Sequence, residues 1–485
     1  MLNEKISRPF TADTKTIHLW AVGGIADYML YLSFNALIQP VFTTTFKLSP
    51  VLVGWALMLP RLSDAIVDPL VGHFSDTLQS RWGRRRPFIA LTAVLGAVSV
   101  IAMWLASPDW GPGAQFLHLL VCSVLLYFCF GTFDMTHMAL GYELSDDYSQ
   151  RSRVVAVRSF YFAMAAVGGG WAYWFALRPM WGGELNGVRA ISIGMAALIL
   201  VFGLIPVVAC GERFRPSDRK HVNFFQAAKT VFAVKPFVLL LLVRVAQTLG
   251  GSLYGAFGFY IGVYIVCRGE KSTFTFLSGL AGIVGVVCAF LLMPLSARLT
   301  HKLGKRRGIL VGLGASLLSA LLLPIFNQTG HPYLLLAHML LFVPTNLMLA
   351  MFLSSIIPDI CDLDELATGQ RREGMFSAVM SFVGKVENSI VILLGGYLLA
   401  FSGYDANLPV QPMEVLHRMK WLGFTPAIVF SAVALLVAWK IPMSEQYMSE
   451  VRRLLEARRG TPLPEGGPGE PPIASDVGDA ELSPA

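Results

Sequence analysis

The feature that most constrains this chain is the recurrence of long stretches almost free of charge. Runs of 18 or more nearly uncharged residues occur near 17–40, 50–76, 87–107, 115–142, 153–178, 188–210, 236–266, 273–299, 307–327, 332–357, 374–402 and 417–440. Each can cross about 30 Å of hydrocarbon as a helix. Only 14% of the 485 residues are charged, where a soluble protein carries roughly a quarter. An all-α integral membrane protein with twelve transmembrane helices follows as the expected fold class. The N-terminal MLNEKISRPFTADTK is charged and lacks a short apolar core with a cleavage site, so no removed signal peptide is expected. Five of the six cysteines lie in or beside apolar runs, which suits small core residues better than a disulfide framework.

Orientation follows from the loops. Most of the 38 Lys and Arg fall in the termini and in every second loop: Arg81 with Arg84, Arg85 and Arg86; Arg151 and Arg153; 213–235; Arg298 to Arg307; Arg371 and Arg372; and the C-terminal segment. Positive loops stay cytoplasmic. A multi-pass protein of the cell (inner) membrane with both termini inside is expected. The net charge of +7 then reflects topology, and no base-reading motif points to nucleic acid.

The chain repeats itself faintly. GHFSDTLQSRWGRRRPFI (72–89) returns in degraded form as SARLTHKLGKRRGIL (296–310), and YELSDDYSQRSR (142–153) is echoed by PDICDLDELATGQRR (358–372). The pattern predicts an N-terminal six-helix bundle over 1–210, a cytoplasmic linker over 211–235 and a C-terminal six-helix bundle over 236–440. Residues 441–485 read as a cytoplasmic helix, near 443–459, followed by a disordered Pro/Gly/Glu-rich tail. Two pseudo-symmetric six-helix halves with a binding site between them at mid-membrane is a transporter architecture resembling the major facilitator plan.

Within this apolar frame stand carboxylates that need explaining. Asp64 and Asp68 are i, i+4 neighbours in the second span, and Asp134 lies in the fourth. A charge at the bilayer centre costs about 2.5–3.5 kcal/mol on insertion scales. Two neighbouring carboxylates cannot both stay ionised cheaply without a counter-charge. Asp68 lies eight residues before Asp76 and Asp134 nine before Glu143. Both therefore stand about 12–14 Å from the same ends of their spans. Three carboxylates at one depth suit a cation, as sodium ligands or as a shared proton site. The plainer alternative is a static pair of Arg61 with Asp64, which leaves Asp68 and Asp134 without neutralisation. Asp27 and Arg158, also inside spans, supply a bidentate acceptor and a bidentate donor suited to hydrogen-bonding a polar solute.

DAIVDPLVGHFSDTLQSRWGRRRPFI resembles the helix 2 signature of the glycoside–pentoside–hexuronide:cation symporters, the melibiose permease family. THMALGYELSDDYSQRSRV, preceded by Asp134, resembles that family's helix 4 signature, and GMFSAVMSFVGKVENSI its helix 11. The resemblance implies that Asp64, Asp68 and Asp134 bind the cation. It implies that Asp27, Asp134 and Arg158 hydrogen-bond sugar hydroxyls, with Lys385 near both sites and Ser381 next to the sugar. Two positions depart from the family pattern. Met138 stands where a stacking tryptophan is found, and Gly131 where a hydroxyl assists sodium, which favours a proton.

At the ends of the spans, Asp76 with Arg84, Arg85 and Arg86, and Glu143 with Arg151 and Arg153, read as gating or structural groups that tie helices together. Arg244 and Gln247 either line the cavity or bond between helices. His137 and His338 read as satisfied core residues, and the Gly runs at 168–170, 250–251 and 395–396 as sites of close helix contact or bending. No phosphate loop, zinc motif or nucleophile elbow occurs, so an enzyme is not expected. The expected function is cation-coupled (Na⁺ or H⁺) symport of a sugar or glycoside by alternating access. No cofactor is expected beyond the co-transported ion. Its partners are the solute, the monovalent cation and the bilayer. The alternatives are a carrier of a non-sugar solute such as a lysolipid, and a non-transporting sensor.

Overall fold

The computed structural model describes residues 12–78, 80–145, 147–212, 230–408, 410–442 and 445–460. Within its helices the side chains of Asp64, Asp68 and Asp76 lie outside the described residues, as does the whole of the tail from 461 onward. The chain is helical in this order: α1 (Thr14–Ala21), α2 (Gly23–Leu32), α3 (Ile38–Thr44), α4 (Pro50–Thr77), α5 (Arg86–Ala102), α6 (Pro112–Tyr142), α7 (Tyr148–Gly169), α8 (Ala172–Ala176) and α9 (Glu184–Ala209). After the linker come α10 (Lys235–Tyr260), α11 (Lys271–Leu303), α12 (Lys305–Leu321), α13 (Leu323–Phe326), α14 (Leu334–Thr368), α15 (Glu373–Phe401), α16 (Met413–Trp439) and α17 (Glu445–Gly460). Among the described residues, nine helices are long and apolar enough to cross a membrane.

Local sequence explains where helices start and break. Pro50, Pro87, Pro112 and Pro236 stand in first turns, where a missing N–H costs nothing. Asp13 caps α1 by accepting from the Thr16 N–H at 3.1 Å. The first span is not the single helix that its apolar run suggests. A π-helical turn, Ser33–Leu37, separates α2 from α3. Pro40 lacks an N–H and its ring crowds the carbonyl four residues back, at Ala36, so the widened turn accommodates it. A second π turn, Ile261–Val266, ends the span that α10 begins. The helix after Arg158 also breaks, at Gly170, before α8.

The packing repeats between the two parts of the chain. α2 packs on α7 and α9, α4 on α6, and α5 on α6 and α9. Correspondingly, α10 packs on α15 and α16, α11 on α14, and α12 on α14 and α16. One apolar core is built from residues between Ala12 and Cys210. The others draw on residues between Val231 and Leu455. Outward faces stay apolar at helical spacing, as Leu91, Val94, Val98 and Leu105 do on α5 and its final turn. Such faces are solvated by lipid.

The two parts meet along α4 with α15, and along α7 and α8 with α11. Small residues allow this. A Cβ at Gly54 would lie 3.4 Å from the Ile392 carbonyl oxygen, and one at Gly170 would lie 3.4 Å from the Gly279 Cα. The Trp55 indole N–H donates to the Tyr397 hydroxyl at 3.2 Å. All of these contacts lie toward the end of the molecule opposite the arginine-rich loops. The two ends are called here the far end and the basic end.

Candidate substrate and cation site

The site is assembled from α2, α6 and α7. Gly24, one turn before Asp27, brings α7 close: a Cβ there would stand 3.0 Å from the Arg158 carbonyl oxygen. Gly23 makes room for the His137 ring from α6, 2.5 Å from where its Cβ would be. His137 is buried and stacked on Trp20 with ring centroids 4.7 Å apart. The Trp20 indole N–H donates to the His137 carbonyl at 2.9 Å. The His137 Nε2 lies 2.9 Å from the Trp20 carbonyl, which requires the proton on Nε2. This reciprocal pair fixes α1 against α6 next to the acids.

Arg158 does not snorkel to the basic end. Its Nη2 donates to Asp27 Oδ2 at 2.6 Å and is also ion-paired with Asp134 Oδ1. The arginine side chain is 12% exposed and Asp27 4%, whereas Asp134 is 45% exposed and reaches into open space. Two acceptor and donor positions are left over: Asp27 Oδ1 and Arg158 Nε are buried without hydrogen-bond partners. One guanidinium serving two carboxylates leaves a formal charge of −1. A cluster with spare acceptors, a spare donor and a charge deficit can take hydroxyl groups and attract a cation.

Asp134 is therefore held with Asp27 and Arg158. Its relation to Asp64 and Asp68 lies outside the described side chains. Arg61 lies 6.0 Å from the centre of the Tyr127 ring. Met138 packs against the core, and Thr132 beside Gly131 is buried with its hydroxyl unpartnered. On α15, Lys385 is half-buried and Ser381 exposed. Arg244 of α10 donates to the Met380 carbonyl of α15 at 3.1 Å, and Gln247 donates to Ser316 at 2.7 Å, so both bond between helices. His338 Nε2 pairs with Ser319 at 3.1 Å.

The pairing expected at the basic end is corrected. Glu143 is gripped by Arg84 and, at 2.7 Å, by Arg85, not by Arg151 or Arg153. Arg151 instead donates from Nε to the Ser145 carbonyl at 2.9 Å. The loop before α5 folds under the end of α6 and reaches Glu143. Arg151, in the first turn of α7, turns back on the connection that precedes it. Arg86 donates from Nε to the Val207 carbonyl of α9. The second part of the chain repeats the arrangement. Lys305 donates to Asp359 at 2.7 Å, and Arg452 of α17 joins at 3.1 Å.

Two constellations were not foreseen. Glu212 accepts the backbone N–H groups of Arg84 (2.6 Å), Arg85 (2.9 Å) and Arg86 (2.7 Å), capping α5. At the far end, Lys271 donates to Glu184 and to the Thr44 hydroxyl, each at 2.8 Å, while Tyr173 donates to Glu184 at 2.7 Å. Arg178 Nη2 donates to Ser272 at 2.8 Å. A single charged residue opening a helix is the only sequence signal such partners give.

These observations define a helical membrane transporter of the major facilitator type, with a charged site buried in its first half. Residues 19–445 match the MFS/sugar transport protein family, and the chain belongs to that family. It is similar to the glucuronide carrier protein homolog of Escherichia coli (strain K12), at 21% identity over 90% of this chain and 94% of that protein. It is also similar to the isoprimeverose transporter of Lactiplantibacillus pentosus, at 22% identity over 85% of this chain and 86% of that one. Among solved structures, the crystal structure of a D-xylose-proton symporter superposes with a TM-score of 0.64 at 16% identity, covering 88% of this chain and 97% of that one.

Proposed function

We propose that this protein is a cation-coupled symporter that carries a sugar or glycoside across the cell (inner) membrane by alternating access. The observation that carries the reading is the shared Arg158, with Asp27 and Asp134 on either side and a spare acceptor on Asp27. Asp27, Asp134 and Arg158 hold sugar hydroxyls, assisted from the other half by Lys385 and Ser381. Asp64, Asp68 and Asp134 take the cation, sodium or a proton. Its arrival offsets the negative charge and raises affinity for the sugar; by linkage, sugar tightens cation binding by the same factor. A relative described as a glucuronide carrier protein homolog, one described as an isoprimeverose transporter, and a structural neighbour described as a D-xylose-proton symporter support this substrate class.

The basic end is cytoplasmic in this reading, with both termini inside. The bundles are 1–210 and 236–440, joined by the 211–235 linker and followed by 441–485. The far-end contacts close the outer side, so the site is accessible from the cytoplasm. Asp76, Arg84, Arg85, Arg86, Glu143 and Arg151 hold the inner ends of the first bundle. The test is uptake of labelled glycosides and pentosides into vesicles with and without a sodium or proton gradient. Accumulation driven by one gradient is expected; Asp68→Asn should abolish it while leaving exchange. Intact accumulation in a combined Asp64→Asn and Asp68→Asn variant would overturn the coupling assignment.

A further inference from the structure

Away from the central cluster, the far end of the second half contains a cavity of about 300 Å³ between the end of the α10 span, the connection before α14 and the start of α16. Arg268, His417 and Lys420 line it, with Tyr264 and Thr329. No acidic side chain lines it. Among the described residues, none of the three basic groups has a hydrogen-bond or ion-pair partner. Arg268 is held at φ 54°, a left-handed conformation that a residue with a Cβ adopts only when its surroundings impose it. The Gly269 N–H donates to the Val263 carbonyl at 2.7 Å, and the Gly330 N–H to the Val266 carbonyl at 3.0 Å, which fixes the turn around it.

Two unpaired cationic side chains on one cavity, Arg268 and Lys420, with the His417 imidazole as a further donor beside them, favour an anion as their partner. The rim is apolar: Val410 is 75% exposed and Met413 70%. Both line the cavity. Tyr333 is exposed nearby on the chain before α14, in keeping with an aromatic at the membrane–water boundary. A cationic floor with an apolar lip at that boundary fits an amphiphilic phosphate better than a fully hydrated one. We propose that this cavity binds the phosphate of an anionic phospholipid headgroup, with Arg268, His417 and Lys420 as its ligands and Val410 and Met413 against the glycerol and upper acyl chain. The site is separate from the sugar and cation site and does not rest on that assignment.

The test is native mass spectrometry of the full purified chain with equal amounts of phosphatidylglycerol and phosphatidylcholine, and separately with inorganic phosphate as competitor. One phosphatidylglycerol should be retained in preference to phosphatidylcholine. An Arg268→Gln, Lys420→Gln variant should lose about thirty-fold in that preference. Glu414→Gln, outside the cavity, serves as the folded control and should retain it. Displacement of the lipid by phosphate supports the shared phosphate chemistry. Phosphate binding without any lipid preference overturns the headgroup and makes a soluble anion the ligand. Equal retention of both lipids with no phosphate effect, or an unchanged double variant, overturns the site.

Discussion

Lys271→Met tests whether the far-end contacts set which side of the molecule is open. Lys271, from the second half, makes two hydrogen bonds across the divide, to Glu184 and Thr44 at 2.8 Å each. Its side chain is 24% exposed and that of Glu184 17%. A hydrogen bond to a charged group contributes about 1.5–3 kcal/mol. Allowing for partial solvation, the two together favour the closed far end by about 2 kcal/mol. That is roughly a thirty-fold change in the equilibrium between closed and open. A far-open population of about 1% would rise to about 25%. Spin labels at Met180 and Tyr333, both exposed and one in each half, report the separation by pulsed electron resonance. The wild type should give one distance and Lys271→Met a second, longer one. Glu184→Gln should act similarly, and the double variant should be no more open than either single. Unchanged distances in Lys271→Met, or strictly additive effects, would refute the latch.

Arg158→Ala leaves the buried Asp27 carboxylate without its cation; sugar binding measured by calorimetry should vanish, and stability should fall by about 3–5 kcal/mol. Arg158→Lys should restore much of the stability but not the binding, because the ammonium is a point charge without the planar fork. Glu212→Gln removes the carboxylate shared by three backbone N–H groups; it should cost about 1–2 kcal/mol, read as a lowered thermal midpoint in detergent with uptake retained. Gly396→Leu drives a side chain into the Pro50 carbonyl across the α4–α15 contact; overpacking of about 1–3 kcal/mol should open the far end in the same spin-label assay.

Much of the fold was legible because a bilayer leaves a chain few choices. Uncharged runs become helices, and the glycines at Gly170 and Gly396 stand where helices of the two halves approach. The intramembrane charges were legible for the same reason, but it was the resemblance to the symporter family, not depth or composition, that set Asp27, Asp134 and Arg158 together. What depth along a helix does not reveal is azimuth and partner. Depth sets Asp134 level with Asp64 and Asp68, but depth alone does not show that Asp134 also ion-pairs with Arg158. Nearness in sequence points Glu143 to Arg151 and Arg153, whereas it pairs with a loop some sixty residues earlier. The π turn at Ser33–Leu37 was hidden because Pro40 alone reads only as an irregularity. Glu184 and Lys271 were invisible because a lone charge at a membrane boundary is ordinary until its partner is known.

The distribution of charge contacts argues for how the molecule moves. Glu143 closes the end of α6 with two cations from the loop before α5, and Asp359, at the matching place on α14, also takes two. In the second half the first residue of α12, Lys305, supplies one of the two, and the other cation, Arg452, comes from α17. The buried Met448, Val451 and Leu455 fasten that helix to the same core. The terminal helix is thus a working part of the second half. Among the described ion pairs, those at the basic end stay within one half, while Lys271–Glu184 at the far end spans both. Clamps inside a half make it rigid without tying it to its neighbour; bonds between halves decide which end is shut. In the proposed reading, two halves joined at the far end rock by exchanging that junction for one at the basic end. In that motion Arg158 and its two acids, all within the first half, travel together.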